Sequence, residues 1–442
     1  MISNWNNYPN VTAEKTNLIS PSEIEKRYSN QNFIMRGAGK SYGDASLGDR
    51  ICSSLEYNKF LFFDKNNGII SAQSGVLLSE ILNVVIPKGW FLPVTPGTKY
   101  ITIGGAVASD VHGKNHHLEG SISRHIASFD LMITTGEVIR CSKTENSDLF
   151  HATCGGMGLT GVILNVSLKL KKIESDRITQ RQIKAPDLDS LVGYLNEFSS
   201  YTYSVAWIDC LKGGKGFGRG IVMLGEHSVQ NDLENKPSLN SAPENQLNIP
   251  FNFPNFALNN LTVRLFNEFY YQKTYRKDNT FISGYNSFFY PLDGLGNWNR
   301  IYGGKGFLQY QFVLPMEGGK EGLVKILGRI NRRGLGSFLA VLKIFGEQPE
   351  GILSFPMRGY TLALDFPIVR GLFDFLDELD KIVQDFGGRI YLAKDARMKT
   401  EMFLNTYPEI ENFRSILLKY GVSTKFESLM SKRLSILNSV ID

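Results

Sequence analysis

Two glycine-rich stretches, residues 36–44 and 96–113, constrain this chain more than any other feature. The first reads R-G-A-G-K-S-Y-G-D and follows the apolar residues Phe33, Ile34 and Met35, which predict a strand. The second is a long run of small residues. Because bare backbone lets a ligand approach closely and directs N–H groups at a pyrophosphate, both stretches predict a ligand site. A mere turn in the first and tight helix packing in the second are the alternatives.

Two common nucleotide-binding patterns do not fit the first stretch. The dinucleotide pattern G-x-G-x-x-G fails because the third glycine, Gly43, comes one residue late. The P-loop pattern fails because Ile34 stands where its first glycine belongs, although Gly39, Lys40 and Ser41 match its end. The loop therefore belongs to neither class.

Histidines and cysteines offer metal sites as a further alternative. Five of the six histidines lie between His112 and His151, but no thiolate or paired carboxylate accompanies them, so this segment favours a cofactor wall and we predict no metal. The four cysteines form no C-x-x-C pair and are expected to be buried free thiols.

Length and charge set the general class. A chain of 442 residues exceeds the usual single-core domain, so we expect two lobes. The net charge is +5, but Lys and Arg are scattered, which argues against a nucleic-acid partner. The polar N-terminus and the lack of about 18 consecutive apolar residues predict a cytoplasmic protein without signal peptide or transmembrane segment.

The hydrophobic patterns predict an α+β protein. Short apolar runs separated by glycine-rich turns fill residues 32–170, with helices expected at 77–87 and at Ser147–Thr153, the latter capped by Ser147. Aromatic-rich strand patterns alternate with helical ones over 173–386, which predicts an antiparallel sheet covered by helices. The polar segment 226–260 predicts a long loop, either a lid over a site or a surface insertion.

Three motifs in combination resemble a known family. They are R-G-A-G-K-S-Y-G-D, then P-G-T with I-G-G-A-V-A-S-D-V-H-G-K-N-H-H, then C-G-G-M-G-L-T-G. Together they resemble FAD enzymes with the vanillyl-alcohol oxidase fold, and among these the decaprenylphosphoryl-β-D-ribose 2′-oxidase family. The similarity extends through nearly the whole chain. It implies a PCMH-type FAD-binding domain formed by residues 1–174 and 389–442, with an antiparallel-sheet substrate-binding domain, residues 175–388, inserted between them.

The resemblance also implies which residues bind the cofactor. The expected FAD-binding residues are Met35, Arg36, Gly37, Ala38, Gly39, Lys40, Ser41, Tyr42, Gly43, Asp44, Ala45, Gly97, Thr102, Ile103, Gly104, Gly105, Ser109, Asp110, Val111, His112, Ile163, Tyr391 and Lys394. In related sugar oxidases a histidine at the position of His112 bonds covalently to the flavin. The context D-V-H-G-K-N resembles the ribose oxidases instead, so we predict non-covalent FAD.

Four residues are expected to act in catalysis: Lys394, Lys343, Gln311 and His112. A cation near the flavin stabilises the charge that its reduction builds, and by resemblance Lys394 has that role. Lys343 lies in an apolar strand, where an ammonium needs a partner or a cavity. Gln309 and Gln311 are two residues apart on one strand face. The expected substrate-binding residues are Lys114, Gln309, Gln311, Lys343, Phe345 and Tyr42.

The reaction implied is oxidation of the 2′-hydroxyl of a polyprenylphosphoryl ribose to the ketone. It would be the first half of an epimerisation to the arabinose form for the bacterial cell wall, with an NAD-dependent reductase partner, a quinone acceptor and peripheral contact with the inner membrane. Ala363 stands where the best-known members carry a reactive cysteine, and Phe289 replaces a tyrosine. An oxygen-using alditol or sugar-lactone oxidase and a non-catalytic flavin-binding partner of an epimerase are the alternatives.

Overall fold

A computed structural model describes residues 1–437 except 30, 230–231, 234–238, 241–246, 255, 275 and 423–424. Helices and strands both contribute extensively. The helices are α1 (Pro21–Arg27), α2 (Leu78–Val85), α3 (Ile103–Ala108), α4 (His116–Glu119), α5 (Ser147–Thr153), α6 (Leu188–Glu197), α7 (Asn260–Lys273), α8 (Tyr285–Phe289), α9 (Met316–Arg333), α10 (Leu372–Asp385), α11 (Thr400–Thr406), α12 (Ile410–Lys419) and α13 (Leu429–Arg433).

The strands are β1 (Glu14–Asn17), β2 (Ile34–Arg36), β3 (Arg50–Ser53), β4 (Phe60–Asp64), β5 (Ile69–Gln73), β6 (Trp90–Phe91), β7 (Ile126–Met132), β8 (Val138–Cys141), β9 (Val162–Lys169), β10 (Lys171–Lys172), β11 (Arg177–Ala185), β12 (Tyr203–Ile208), β13 (Gly220–His227), β14 (Leu247–Asn248), β15 (Asp278–Gly284), β16 (Leu295–Gly296), β17 (Phe307–Pro315), β18 (Ala340–Phe345), β19 (Gly359–Pro367) and β20 (Arg389–Ile390).

Three sheets organise the chain. A parallel sheet has the order β1-β3-β2, and a five-stranded antiparallel sheet has the order β4-β5-β9-β7-β8. The largest sheet has eight antiparallel strands in the order β15-β11-β13-β12-β18-β19-β17-β20. Its helices α9 and α10 bury one apolar face each, as amphipathic helices on a sheet must. The predicted α+β class is confirmed.

The C-terminal segment returns to the N-terminal one. Phe33 pairs with Phe426 in a parallel bridge, and Arg433 makes a two-pronged ion pair with the Asp44 carboxylate, with N–O distances of 2.8 and 2.9 Å. Arg389–Ile390, however, pairs with β17 in the large sheet. The domain boundaries at 174/175 and 388/389 stay predictions.

Several sequence-based assignments need correction or extension. Helix α5 has the expected bounds, but its cap position is Asn146, and no side chain caps it by a hydrogen bond. The small-residue run of the second stretch includes the helix Ile103–Ala108. The expected loop 226–260 includes the end of β13 and the short strand β14, although residues 230–231, 234–238, 241–246 and 255 lie outside the described residues. Helix α7 and strands β11, β13 and β15 were not predicted.

The four cysteines are buried and free. Among the described residues, no helix is both long and apolar enough to cross a membrane, and no group of three or more His, Cys, Asp or Glu side chains could hold a metal ion.

Candidate active site

A cavity of about 920 Å³ runs between the glycine-rich stretches and the large sheet. One part of its wall comes from the first stretch, the start of α3 and the C-terminal residues Tyr391, Ala393 and Lys394. The other part comes from β17, β18 and β19. The volume lies at the upper end of the range of small-molecule and cofactor sites.

The two glycine-rich stretches touch at the cavity. A Cβ atom on Gly37 would lie 2.2 Å from the Thr102 hydroxyl oxygen, so only glycine lets the loops approach this closely. Thr102 caps α3 by accepting a hydrogen bond from the Gly105 N–H at 3.2 Å. A Cβ on Gly97 would meet no atom within 4 Å, although Gly97 lines the cavity. The glycine backbone at Gly97 therefore borders open space that a larger side chain at this position would occupy.

Most of the expected cofactor residues line this cavity. The lining residues among them are Met35, Gly37, Ala38, Gly39, Lys40, Ser41, Tyr42, Ala45, Gly97, Thr102, Gly104, Gly105, Ser109, Val111, His112, Ile163, Tyr391 and Lys394. This wall consists largely of backbone and small side chains. It also carries the buried Ser74 hydroxyl, which has no hydrogen-bond partner among the described residues. These properties fit a bound FAD.

Five of the expected cofactor residues stand behind the described wall instead. Arg36 donates to the Ser3 carbonyl at 2.8 Å, and Asp44 binds Arg433. A Cβ on Gly43 would overlap the Asp395 carbonyl oxygen at 1.8 Å. Ile103 is core, and Asp110 accepts the Ser354 hydroxyl at 2.5 Å. They support the loops rather than line the cavity.

His112 connects two of the expected catalytic side chains. Its Nδ1 lies 3.2 Å from Lys343 Nζ, and its Nε2 lies 3.2 Å from Gln311 Nε2. Burial, with Lys343 next, holds the pKa of His112 well below its usual value, so the ring is neutral with one N–H. Gln311 Nε2, which also donates to Thr361 Oγ1 at 3.3 Å, faces His112 Nε2 in the structure, and this arrangement places the ring proton on Nδ1 beside a neutral Lys343. A charged Lys343 that donates to Nδ1 would instead place the ring proton on Nε2 and require the Gln311 oxygen to accept it. The Lys343 proton and the Gln311 amide orientation are therefore coupled.

Lys394 lines the same cavity and is attracted electrostatically to the Asp365 carboxylate. Its Nζ is 3.8 Å from the centre of the Tyr42 ring. Burial lowers the pKa of Lys394 to about 7, which attraction to Asp365 partly opposes. Burial likewise raises the pKa of Asp365 to about 7, against the hydrogen bond from Gln309. Both groups can gain or lose a proton near neutral pH.

Asp365 was not predicted, although a signal for it existed. Its carboxylate lines the cavity and accepts hydrogen bonds from Gln309 at 2.7 Å and Tyr302 at 3.4 Å. It is a charge within a predicted apolar strand, the same signal that marked Lys343. The register pairs Gln309 with Asp365 and Gln311 with Ala363. Gln309 and Gln311 both line the cavity, but each amide already contacts a protein partner.

Three further expectations concern positions around the cavity. Ala363 lines it, and no cysteine is among the described lining residues. Phe289 is buried in an aromatic cluster, 5.2 Å from the Phe91 ring and 4.8 Å from the Tyr203 ring, and is not part of the described wall. The sequence reasoning missed a group of lining residues from distant segments: Trp5, Asn248, Leu292, Asp293, Leu295, Gly296, Asn297 and Trp298.

Lys114 and Phe345 do not belong to the described wall of the cavity. Lys114 Nζ donates to the Phe288 and Phe289 carbonyls at 2.6 and 3.1 Å, and Phe345 packs against the His112 and His116 rings. Burial, with Lys343 next, lowers the pKa of Lys114 to about 7. Lys114 thus contacts backbone carbonyls where substrate contact was expected.

The depressed pKa of Lys114 predicts a specific pH dependence of stability. Between about pH 7 and pH 10 the unfolded chain binds a proton at this lysine that the folded protein does not, so stability rises with pH. Lys114→Met removes this contribution. Between pH 7 and 9 we expect the Tm of the wild type to gain about 3 °C or more relative to the variant, measured by calorimetry. If the Tm values of the wild type and the variant change in parallel over this pH range, Lys114 stays charged in the folded protein.

The chain matches known proteins over most of its length. Residues 25–142 match the sequence model of an FAD binding domain. A decaprenylphosphoryl-β-D-ribose oxidase of Mycolicibacterium smegmatis is 37% identical over 418 residues, covering 92% of this chain and 90% of that protein. An uncharacterised protein from the mprA 5′ region of Streptomyces coelicolor is 32% identical, covering 82% and 100%. An L-gulonolactone oxidase of Scyliorhinus torazame is 29% identical over 32% of each chain.

Proposed function

The chain belongs to the decaprenylphosphoryl-β-D-ribose oxidase family, and we propose that it oxidises the 2′-hydroxyl of a polyprenylphosphoryl-β-D-ribose to the ketone. It is an FAD-dependent oxidoreductase acting on a CH–OH group. The observation that carries the substrate proposal is the cavity wall on which Lys343, His112 and Gln311 stand together beside Lys394 and Asp365. This wall offers several hydrogen-bonding groups to a sugar.

The glycine-rich wall would hold FAD, with Lys394 beside the flavin. The bound cofactor would supply the hydride acceptor for oxidation of the alcohol carbon. In its protonated form Lys394 would supply a positive charge at a buried position, where electrostatic stabilisation is strong. Burial lowers the pKa of Lys394, and attraction to Asp365 opposes that shift and so favours the charged form.

Lys343 orients the sugar in this proposal. One of its N–H groups is directed at His112, which leaves two donors for the hydroxyls of a substrate. Gln309 and Gln311 stand two residues apart on the same strand and both line the cavity. A set of fixed donors of this kind selects one hydroxyl pattern, since a mismatched sugar leaves buried polar groups unpaired.

Three partners complete the proposal. The ketone product would pass to an NAD-dependent reductase that completes the epimerisation to the arabinose form, and a quinone would take the electrons. Because the substrate carries a polyprenyl chain, the enzyme would work in contact with the membrane surface.

Anaerobic titration tests the proposed reaction. A short-chain, water-soluble polyprenylphosphoryl-β-D-ribose is expected to bleach the flavin absorbance of the purified protein. Bleaching by free alditols or lactones instead, with steady release of peroxide in air, would favour the alditol oxidase alternative. If none of these compounds bleaches the flavin, the protein is a flavin-binding partner without catalysis.

We expect the FAD to be bound without a covalent bond. Both ring nitrogens of His112 already contact protein groups, Lys343 and Gln311, so neither is free to attach to a flavin. Acid precipitation of the purified protein is therefore expected to release nearly all of the yellow colour into the supernatant.

His112→Ala provides the control for this test. The variant should release its flavin in the same way as the wild type. Colour that stays in the wild-type pellet but leaves the variant's pellet would establish a covalent bond to His112 and contradict the expectation.

A further inference from the structure

The described residues between 247 and 282 are rich in exposed apolar side chains. They carry nine of the 23 large hydrophobic side chains that are exposed in the described part of the chain. Six of these are between 62% and 79% exposed: Leu247, Phe251, Phe256, Leu261, Leu265 and Phe269. A concentration of this kind marks a binding surface rather than the scattered exposure of ordinary proteins. We call these six residues the apolar face.

Helix α7 presents half of this face in a fixed direction. Leu261, Leu265 and Phe269 recur every four residues and form one stripe. The opposite side is buried and anchored to the sheet, because Asn267 donates to the Asp209 carboxylate at 2.8 Å and the Tyr271 hydroxyl donates to the Ala185 carbonyl at 3.2 Å. The helix cannot turn its apolar stripe inward without breaking these buried bonds.

The apolar face continues to the wall of the active-site cavity. Strand β14 pairs in parallel with β16, with Leu247 opposite Leu295 and Asn248 opposite Gly296. Asn248, Leu295 and Gly296 line the cavity, whereas the Leu247 side chain is 76% exposed. The chain that carries the apolar face therefore also forms part of the cavity wall.

The charges around the face are mainly positive. The two acidic residues described between 247 and 282 are both paired with arginines of the large sheet: Glu268 with Arg219 at 2.7 Å and Asp278 with Arg181 at 2.5 Å. At the end of α7, Lys273, Arg276 and Lys277 are exposed. An apolar stripe flanked by cations is typical of helices that lie in the surface of an anionic bilayer.

We propose that the apolar face docks on an anionic lipid bilayer and holds the cavity wall at the membrane surface. The inference rests on the proposed function, because a polyprenylphosphoryl sugar resides in a membrane. Docking lets the phosphoribosyl head enter the cavity while the polyprenyl chain stays in lipid. A second copy of this chain is the competing occupant of the face, but the exposed cations would repel each other across a symmetric interface.

Vesicle flotation of the FAD-loaded protein tests the docking. The wild type is expected to float with vesicles of phosphatidylcholine and phosphatidylglycerol, and less with phosphatidylcholine alone. The variant Leu261→Ser/Leu265→Ser/Phe269→Ser should lose at least about tenfold in partition, because each change removes apolar area from the lipid contact. The matched control Val324→Ser/Leu418→Ser changes exposed residues of α9 and α12 and should float as the wild type does.

Kinetics separate this inference from the proposed function. A short-chain soluble substrate should reduce the flavin of the triple variant at the wild-type rate. A polyprenyl substrate embedded in vesicles should reduce the flavin of the triple variant at least about tenfold more slowly than that of the wild type. Failure of the short-chain substrate with the wild type would overturn the function and leave the flotation result standing.

Two outcomes would overturn the docking itself. One is equal flotation of the wild type and the triple variant, or none with either lipid mixture. The other is a wild-type dimer in sedimentation velocity that the triple variant converts to monomers. Should the triple variant lose its flavin or its circular dichroism spectrum, Phe256→Ser, at the most exposed of the six positions, gives the same test with a single change.

Discussion

Lys394→Ala is expected to slow reduction of the flavin by substrate by about 100-fold or more, a loss typical of removing one preorganised charge-stabilising group. The side chain lines the cavity, and its burial lowers its pKa to about 7 while Asp365 opposes the shift. The protonated form of Lys394 is therefore populated, although not exclusively, at neutral pH. Rapid mixing of the FAD-loaded protein with substrate in the absence of oxygen measures the effect.

Lys399→Ala is the matched control for this substitution. Lys399 lies five residues further along, 71% exposed and paired with Asp377. The flavin of the control should be reduced by substrate at the wild-type rate, and both variants should keep their flavin spectrum. An unchanged reduction rate in Lys394→Ala would remove Lys394 from the mechanism.

The sequence identified residues of the candidate site where its signals are local. Lys343 was found because a charge within an apolar strand needs a cavity or a partner, and the structure gives it both. The glycine-rich stretches were found because a long run of small residues indicates a close ligand or close packing, and the structure shows a cavity beside them as well as close packing of Gly37 on Thr102. Both arguments require only neighbouring residues.

The features that were missed depend on distant parts of the chain. Trp5 and Leu292 reach the cavity only through the folded arrangement. Helix α7 was hidden because Leu261, Leu265 and Phe269 are exposed, so its apolar residues do not mark a core face. Strand β11 alternates buried residues with polar ones, but its polar content obscured the pattern. Of these missed features, only Asp365 could have been identified by the argument that identified Lys343, since it is also a charge in a predicted apolar strand.

Lys343→Met is expected to lower kcat/KM for the ribose substrate by about 100-fold, since removing one partner of a buried, hydrogen-bonded charged contact costs about 2–5 kcal/mol. Methionine keeps the length and the apolar stem but has no N–H for His112 or a sugar. The flavin should remain bound, because the cofactor wall is formed mainly by other residues. Steady-state kinetics with a short-chain substrate, together with the flavin spectrum, measure both effects.

Stability distinguishes this role from a structural one. Burial lowers the pKa of Lys343 to about 8, so the amine penalises the folded state and methionine relieves that penalty. Methionine also leaves His112 Nδ1 without a donor, which has the opposite effect. The Tm should therefore change little while activity falls, and the exposed-lysine control Lys305→Met should change neither. A large fall in Tm with a proportionate loss of flavin would identify Lys343 as a structural residue and contradict its assignment to the sugar.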